Sequence, residues 1–389
     1  MSAASGLQRR RAPGGEARTG TPYASDDEDD VVRGRSAQRV KDGIVERSAG
    51  SGSIAAIDTR SGQRYAYDPR DVGDEREMLS HPRLTLMEEV LLLGLKDRQG
   101  YLSFWNDNIS YTLRGAILME LALRGRIAVA RNGEQKRFEV ADRLVEVRDA
   151  KNTGEPLLDE TLRMIKSSPP AGIAEWMDLL SGETWNVMKL NLQLKQVRER
   201  LAKGLVDKGV LRTEKRNFLL FDMPTHPVAD PSLKDAVLRR LYAMITSKSQ
   251  SVHPDEYYKE EKGQIALRIT RTLCMVCCAY CGNVLDNTLA HLPSETHEEA
   301  FQRVVSLLVS FGQWPMAPDT PGGGLPGRGT ATSFSSASAP KKKTKHKIGA
   351  GDADLVLAMR RELEQSSSES AFEVIAGVLN VFVRMDALV

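Results

Sequence analysis

LTLMEEVLLLGLKDRQGYLSFWNDNISYTLRGAILMELALRGRI, Leu84 to Ile127, has the highest apolar density of any stretch of its length in the chain. It reads as a helix, a turn, a short aromatic tongue and a second helix. Thr85 with Glu88 three residues on fits a capping box, in which each side chain answers a free backbone N–H at the helix start. Gly94 suits the end of that helix. After the turn Lys96 to Gly100, the tongue Tyr101 to Trp105 sets Phe104 and Trp105 just ahead of Asn106 and Asp107, which can cap the second helix.

In the second helix Ile109, Leu113, Ala116, Ile117 and Leu121 form a core stripe, and Leu118 and Met119 widen it until little polar surface remains. Arg114, about two turns in, breaks the pattern. A guanidinium on so apolar a helix must pair with an acid, reach water along its own stem, or await an anionic ligand. Trp105 fits a core or rim aromatic as well as a ligand contact.

Around this stretch lie 389 residues with 41% hydrophobic content, enough for one large domain or two ordinary ones with a sizeable core. The 54 basic and 52 acidic residues leave a net charge of +2, so contact with nucleic acid or membrane must come from a local patch. The first twenty residues hold no apolar core of a secretion signal, and no run approaches the roughly 18 apolar residues of a membrane span. Together with four cysteines and six scattered histidines, this predicts a protein of the reducing cytosol, with attachment to a membrane surface left open.

Residues 1 to about 80 are rich in Gly, Ser, Arg and Asp and lack apolar periodicity, which predicts a disordered N-terminal arm. Within it Leu7, Gln8, Arg9, Arg10 and Arg11 form a basic cluster that is either solvated tail or a grip for an acidic surface. Ser25 before the acidic run Asp26 to Asp30 has the pattern of a kinase acceptor, a common one.

Beyond the opening stretch, Arg126 to Val140 reads as a hairpin folded at Asn132 and Gly133. Short amphipathic helices follow at Leu157 to Lys166 and Ile173 to Leu180, separated by Pro169 and Pro170. In residues 183 to 211, Leu190, Leu194, Val197, Leu201 and Leu205 recur at helical spacing, with Gly209 as the stop. Lys195 and Arg198, three apart, then share a face beside that stripe. They form an ordinary solvated basic face or bracket one phosphate.

A second hairpin is expected at Val210 to Met223, with Glu214 to Asn217 at its turn. The run Phe218 to Phe221 puts apolar side chains on both faces of a strand, so one face needs a partner beyond the core. Helices are expected over 232–250 and 264–290. The latter carries Cys274, Cys277, Cys278 and Cys281, one face of a helix whose outer thiols stand about 10 Å apart, too far for one zinc ion. They read as buried packing residues, with no metal site. Residues 315 to 350, with Lys341, Lys342, Lys343, Lys345 and Lys347, read as a disordered loop whose lysines suit anionic lipid. Helices Leu355 to Leu363 and Phe372 to Met385 close the chain.

A nucleophile with its base, paired catalytic carboxylates, a metal triad and a nucleotide loop are all missing from this pattern, which weakens the enzyme reading and leaves no cofactor to expect. Two helix-plus-hairpin units resemble winged helices, which makes a nucleic-acid-binding protein the rival reading. Against it, the helix after Asp107 is almost wholly apolar where a recognition helix must be polar.

The run LTLMEEVLLLGLKDRQGYLSFWNDN, with LLSGETWN at Leu179 to Asn186, QVRERLAKGLVDKGVLRTE at Gln196 to Glu214 and NFLLFDM at Asn217 to Met223, resembles the Golgi phosphoprotein 3 family. The similarity spans residues 82 to 314 and resumes over 352 to 389, where EVIAGVLNVFVRMD is similar to the fungal vacuolar-protein-sorting branch. The resemblance implies a mainly α fold, a single globular domain with a central helix bundle surrounded by amphipathic helices and short β-hairpins. That domain would occupy residues 81–389, interrupted by the Lys-rich loop.

It implies a peripheral adaptor on the cytoplasmic face of Golgi membranes, exchanging with cytosol. Such an adaptor binds phosphatidylinositol 4-phosphate and links the cytosolic tails of Golgi glycosyltransferases to the coatomer coat; nucleic acid is not a partner. The family's lipid pocket maps to Trp105, Arg114, Lys195 and Arg198, and its coat-binding arm to Arg9, Arg10 and Arg11. Its self-association hairpin, which builds a homo-oligomer of up to four chains, maps to Glu214 to Thr225, including Asn217, Phe218 and Leu219.

Overall fold

The structure, a computed structural model, describes residues 81–102, 108–131, 133–184, 186–218, 221–246, 254–259, 261, 265–315, 350–366 and 369–386, and the backbone of four strands before them. The chain divides into two units, Met1–Tyr67 and Asp68–Val389.

The first unit holds strands β1 (Val40–Lys41), β2 (Ile44–Ser48), β3 (Ile54–Asp58) and β4 (Arg64–Tyr67), paired antiparallel in sequence order. These strands lie within residues 1 to about 80, the stretch read from sequence as a disordered N-terminal arm. The signal was local: the β-branched Val40, Ile44 and Val45 flank Asp42-Gly43, a dipeptide suited to a tight hairpin.

The second unit is mainly α. Its elements are α1 (Leu86–Gly94), α2 (Asn108–Leu123), β5 (Ile127–Val129), β6 (Val145–Val147), α3 (Pro156–Ser167) and α4 (Ile173–Ser181). There follow a 3-10 segment Val187–Leu192, α5 (Val197–Asp207), β7 (Glu214–Phe218), β8 (Phe221–Thr225), α6 (Pro231–Thr246) and α7 (Arg268–Cys281). Helices α8 (Leu285–Leu289), α9 (Ser294–Phe311), α10 (Ala350–Ser366) and α11 (Glu369–Asp386) complete it.

The centre is a bundle of α1, α2, α7 and α11, with α5 and α6 against α1, α4 against α2, and α9 against α11. Both α2 and α7 are buried on nearly every face, and the polar residues they carry, such as Glu120 and Arg271, meet partners inside the bundle. The chain begins α1 with the expected capping box: Thr85 Oγ1 accepts from Glu88 N, and the Glu88 carboxylate accepts from Thr85 N at 2.8 Å. Gly94 serves packing instead of a left-handed cap, since a Cβ there would lie 2.7 Å from Val284 Cγ1 and 2.8 Å from Leu102 Cδ2.

Three local expectations are corrected. The partner of β5 is β6, with Ile127 opposite Val147, so the strand pair closes after Val140 and encloses two 3-10 turns. Glu214 to Asn217 lie within strand β7, paired residue for residue with Asp222 to Thr225, and the innermost pair is Phe218 with Phe221. The helix expected over 264–290 is two, α7 and α8, parted at Gly282 and Asn283, where Asn283 takes a positive φ of 51°. The winged-helix rival fails on α2, which is buried along its length and has no face to offer a groove.

Cys274, Cys277 and Cys278 are enclosed in α7, and burial pushes their thiols up, so they stay protonated and act as small packing groups. Cys281 is half-buried. Helix α10 returns to the bundle through Glu362. Its carboxylate accepts from Ile269 N (2.9 Å), Thr270 N (3.1 Å) and Thr270 Oγ1 (2.8 Å), which answers the bare N-terminus of α7.

Ion pairs cross the bundle. Glu89 on α1 faces Arg240 on α6 through two bonds, and Lys208 Nζ reaches both Glu88 and Glu155 at 2.7 Å. Glu120 on α2 faces Arg271 on α7, whose Nη2 lies 3.5 Å from His81 Nδ1. Burial, with Arg124 and Arg271 nearby, pushes the His81 imidazole down to about 3. His81 is thus neutral in the fold where the unfolded chain is protonated, and stability falls as pH drops from the ordinary histidine value toward 3. His81→Asn is expected to flatten that part of a stability-versus-pH profile measured by urea unfolding. An unchanged slope between pH 6.5 and 5 would refute the assignment.

Candidate functional site

The site grows from Arg114. Its side chain is 6% exposed and has no carboxylate partner among the described residues. Its donors go to oxygens of the protein: Nη1 to Ser110 O (2.7 Å) and Ser110 Oγ (2.8 Å), Nη2 to Leu194 O (2.8 Å), and Nε to Leu180 O (3.3 Å). Leu194 N also donates to Leu180 O at 3.0 Å. Four of the five guanidinium N–H groups are committed in this way. Arg114 therefore ties together α2, the end of α4 and the approach to α5. Of the three roles open to it from sequence, it takes a fourth, a fastener of backbone carbonyls.

The end of α4 is itself fixed. Gly182, at φ +83°, ends the helix in the left-handed conformation, and Glu183 N returns to Asp178 O at 2.9 Å. Gln193 Nε2 donates to Ser181 O at 3.1 Å, and Tyr111 Oη donates to Asp178 Oδ1 at 2.8 Å. The helix expected from residue 183 begins only at Val197. Residues 187–192 form a 3-10 segment, Leu194 gives its carbonyl to Arg114, and Gln196 adopts φ 53°.

Lys195 and Arg198 flank this break, both exposed, while Leu194 just before them and Val197 between them are buried. Neither cation forms an ion pair with a described residue. Gln196, at the N-cap of α5, makes no side-chain cap, so the first-turn amides of the helix are left to solvent or an anion. Burial, then the charge of Arg198, pushes the Arg114 guanidinium down to about 10, against the opposing pull of Glu183 and Glu199. Arg114 stays charged at neutral pH, and a second cation beside it is a configuration an anion relieves.

Arg114 thus bonds the carbonyl of Leu194, next to Lys195 in the chain, and feels the charge of Arg198. Trp105 lies outside the described residues, as do Arg9, Arg10, Arg11 and Leu219 and the side chains of Asn217 and Phe218. Glu214 and Thr225 face each other at the open end of the β7–β8 hairpin. The residues missed by sequence reasoning are Ser110 and the carbonyls of Leu180 and Leu194. Ser110 stands one helical turn before Arg114, a spacing that hints at the contact, whereas a backbone oxygen has no residue signature. Among the described residues no group of His, Cys, Asp and Glu is placed to hold a metal ion, and no helix is long and apolar enough to cross a membrane.

The family model for Golgi phosphoprotein 3 (GPP34) matches residues 86–318, which includes α1, α2, α4, α5 and the hairpin. A vacuolar protein sorting-associated protein 74 from Schizosaccharomyces pombe is 54% identical over 266 residues, covering 68% of this chain and 78% of its own length. One from Eremothecium gossypii is 45% identical over 354 residues, covering 90% of this chain and 98% of its own. The chain belongs to the Golgi phosphoprotein 3 family, in its fungal vacuolar-protein-sorting branch.

Proposed function

We propose that this chain reads phosphatidylinositol 4-phosphate at the N-terminus of α5, with Lys195 and Arg198 as the direct ligands and Arg114 as the residue that holds them. Its role as a Golgi-associated trafficking adaptor connected to coatomer traffic, not an enzyme, follows from its family. The observation that supports the lipid reading best is a pair of exposed cations, unpaired among the described residues, beside helix amides without a side-chain cap. A phosphomonoester would accept charge-assisted hydrogen bonds from both cations and from the first-turn amides. Trp105, close in sequence to α2, would add an indole at the interface, its ring toward lipid and its N–H toward water.

One headgroup binds weakly. Self-association through Glu214–Thr225, including Asn217, Phe218 and Leu219, would present several such pockets to one membrane and raise avidity by about 10² or more. On the cytoplasmic face of the Golgi, with exchange into cytosol, Arg9, Arg10 and Arg11 would contact the coat while the folded domain holds glycosyltransferase tails. The test is Lys195→Ala with Arg198→Ala. Sedimentation with vesicles containing phosphatidylinositol 4-phosphate is expected to fall about 100-fold, since two charge-assisted bonds are worth about 1.5 kcal/mol each at least. The thermal midpoint should stay where it is, because both side chains are exposed. Native-like vesicle binding would refute the pocket.

A further inference from the structure

Five large apolar residues are exposed among the described ones, and three of them crowd the six-residue 3-10 segment Val187–Leu192: Val187 at 75%, Met188 at 86% and Leu190 at 40%. Scattered exposed apolar residues need no explanation, but three together on one turn do. In a 3-10 helix positions three apart eclipse, so Val187 and Leu190 stand over one another with Met188 beside them.

The segment is fastened where it is. Asn186 Oδ1 accepts from Met188 N at 3.1 Å, Lys189 Nζ donates to Glu175 Oε1 on α4 at 2.6 Å, and Leu192 packs against the core. The fold thus holds apolar side chains outward and turns the one cation of the segment, Lys189, aside into an ion pair.

From the structure we infer that this turn is a membrane wedge, in which Val187, Met188 and Leu190 enter the acyl boundary of an anionic bilayer next to the headgroup pocket. The inference rests on the lipid reading of Lys195 and Arg198. Leu190 and Lys195 are five residues apart, which bounds their separation at about 17 Å, so both can reach one membrane surface. The pairing of a small apolar tip with adjacent cations matches the interfacial zone of an anionic leaflet, apolar below and negatively charged above. A second copy of the chain is a poorer occupant, because three side chains fall far short of the roughly 800 Å² per partner of a stable protein interface.

Two ligands separate the wedge from the pocket: soluble inositol 1,4-bisphosphate reads the pocket alone, and vesicles of phosphatidylcholine, phosphatidylserine and phosphatidylinositol 4-phosphate read both. Met188→Asp is expected to weaken vesicle binding about tenfold or more and leave the soluble headgroup affinity and the thermal midpoint unchanged. Met188→Leu should bind vesicles like the unsubstituted chain. Undiminished vesicle binding by Met188→Asp would overturn the wedge, and so would an equal loss for the soluble headgroup. If the unsubstituted chain ignores the soluble headgroup, the pocket reading fails on its own, while vesicle binding that still depends on Met188 upholds the wedge.

Discussion

Replacing Glu120 with glutamine is expected to cost about 3 to 5 kcal/mol of folding stability. The carboxylate has no access to solvent and joins three elements. It accepts from Leu86 N at the start of α1 (3.0 Å), from Arg124 Nε at the end of α2 (2.7 Å), and from Arg271 Nη1 on α7 (3.0 and 3.1 Å). Burial alone would push its carboxyl up, but Arg271 and Arg124 outweigh that and hold it well below the usual carboxylate range. Glutamine keeps the shape and removes the charge, which leaves Arg271 enclosed without its ion-pair partner and with only the more remote charge of Glu89 to oppose it.

Urea unfolding checks this directly, and a loss under 1 kcal/mol would show that the charge is dispensable. A cycle with Arg271→Met sharpens the result. If the pair is the cause, the double variant should recover part of the loss, because removing both charges also removes the cost of burying them. The sign with pH follows from the depressed carboxyl. Its contribution is complete above the unfolded carboxylate value and is lost as pH falls toward the folded one, so Glu120→Gln should matter less in acid.

Much of this core was readable where the cause is local. Thr85 and Glu88 cap α1 because both partners lie within one turn, and the cysteines of α7 are packing groups because their spacing is one face of a helix. Arg114 was visible as a misfit on an apolar helix. Its solution was not, since its acceptors at Leu180 and Leu194 are 66 and 80 residues away and are carbonyls that any residue would supply. The same blindness misplaced the start of α5. Leu190 and Leu194 fit a helical stripe by spacing, but Arg114 draws the Leu194 carbonyl out of any helix, and Leu190 turns outward. Tertiary hydrogen bonding overrode periodicity just before Lys195.

Arg114→Lys should therefore lose vesicle binding nearly as fully as Arg114→Ala, by more than tenfold, although it keeps the charge. A guanidinium reaches Ser110, Leu180 and Leu194 at once because its donors are spread over a planar fork, and a single ammonium cannot span them. Either substitution leaves the Leu194 carbonyl without its bond and lets the approach to α5 relax, which moves Lys195 and Arg198 apart. The same loss should lower stability by about 1 to 3 kcal/mol, the cost of an unmet buried acceptor. A purely direct ligand predicts something else: lysine would retain much of the affinity, and alanine would leave the unfolding midpoint untouched. Lys195→Arg and Arg198→Lys, which change exposed ligands without touching the fastener, should keep most of the binding. If Arg114→Lys instead binds like the unsubstituted chain, the carbonyl fastening is incidental and Arg114 acts by charge alone.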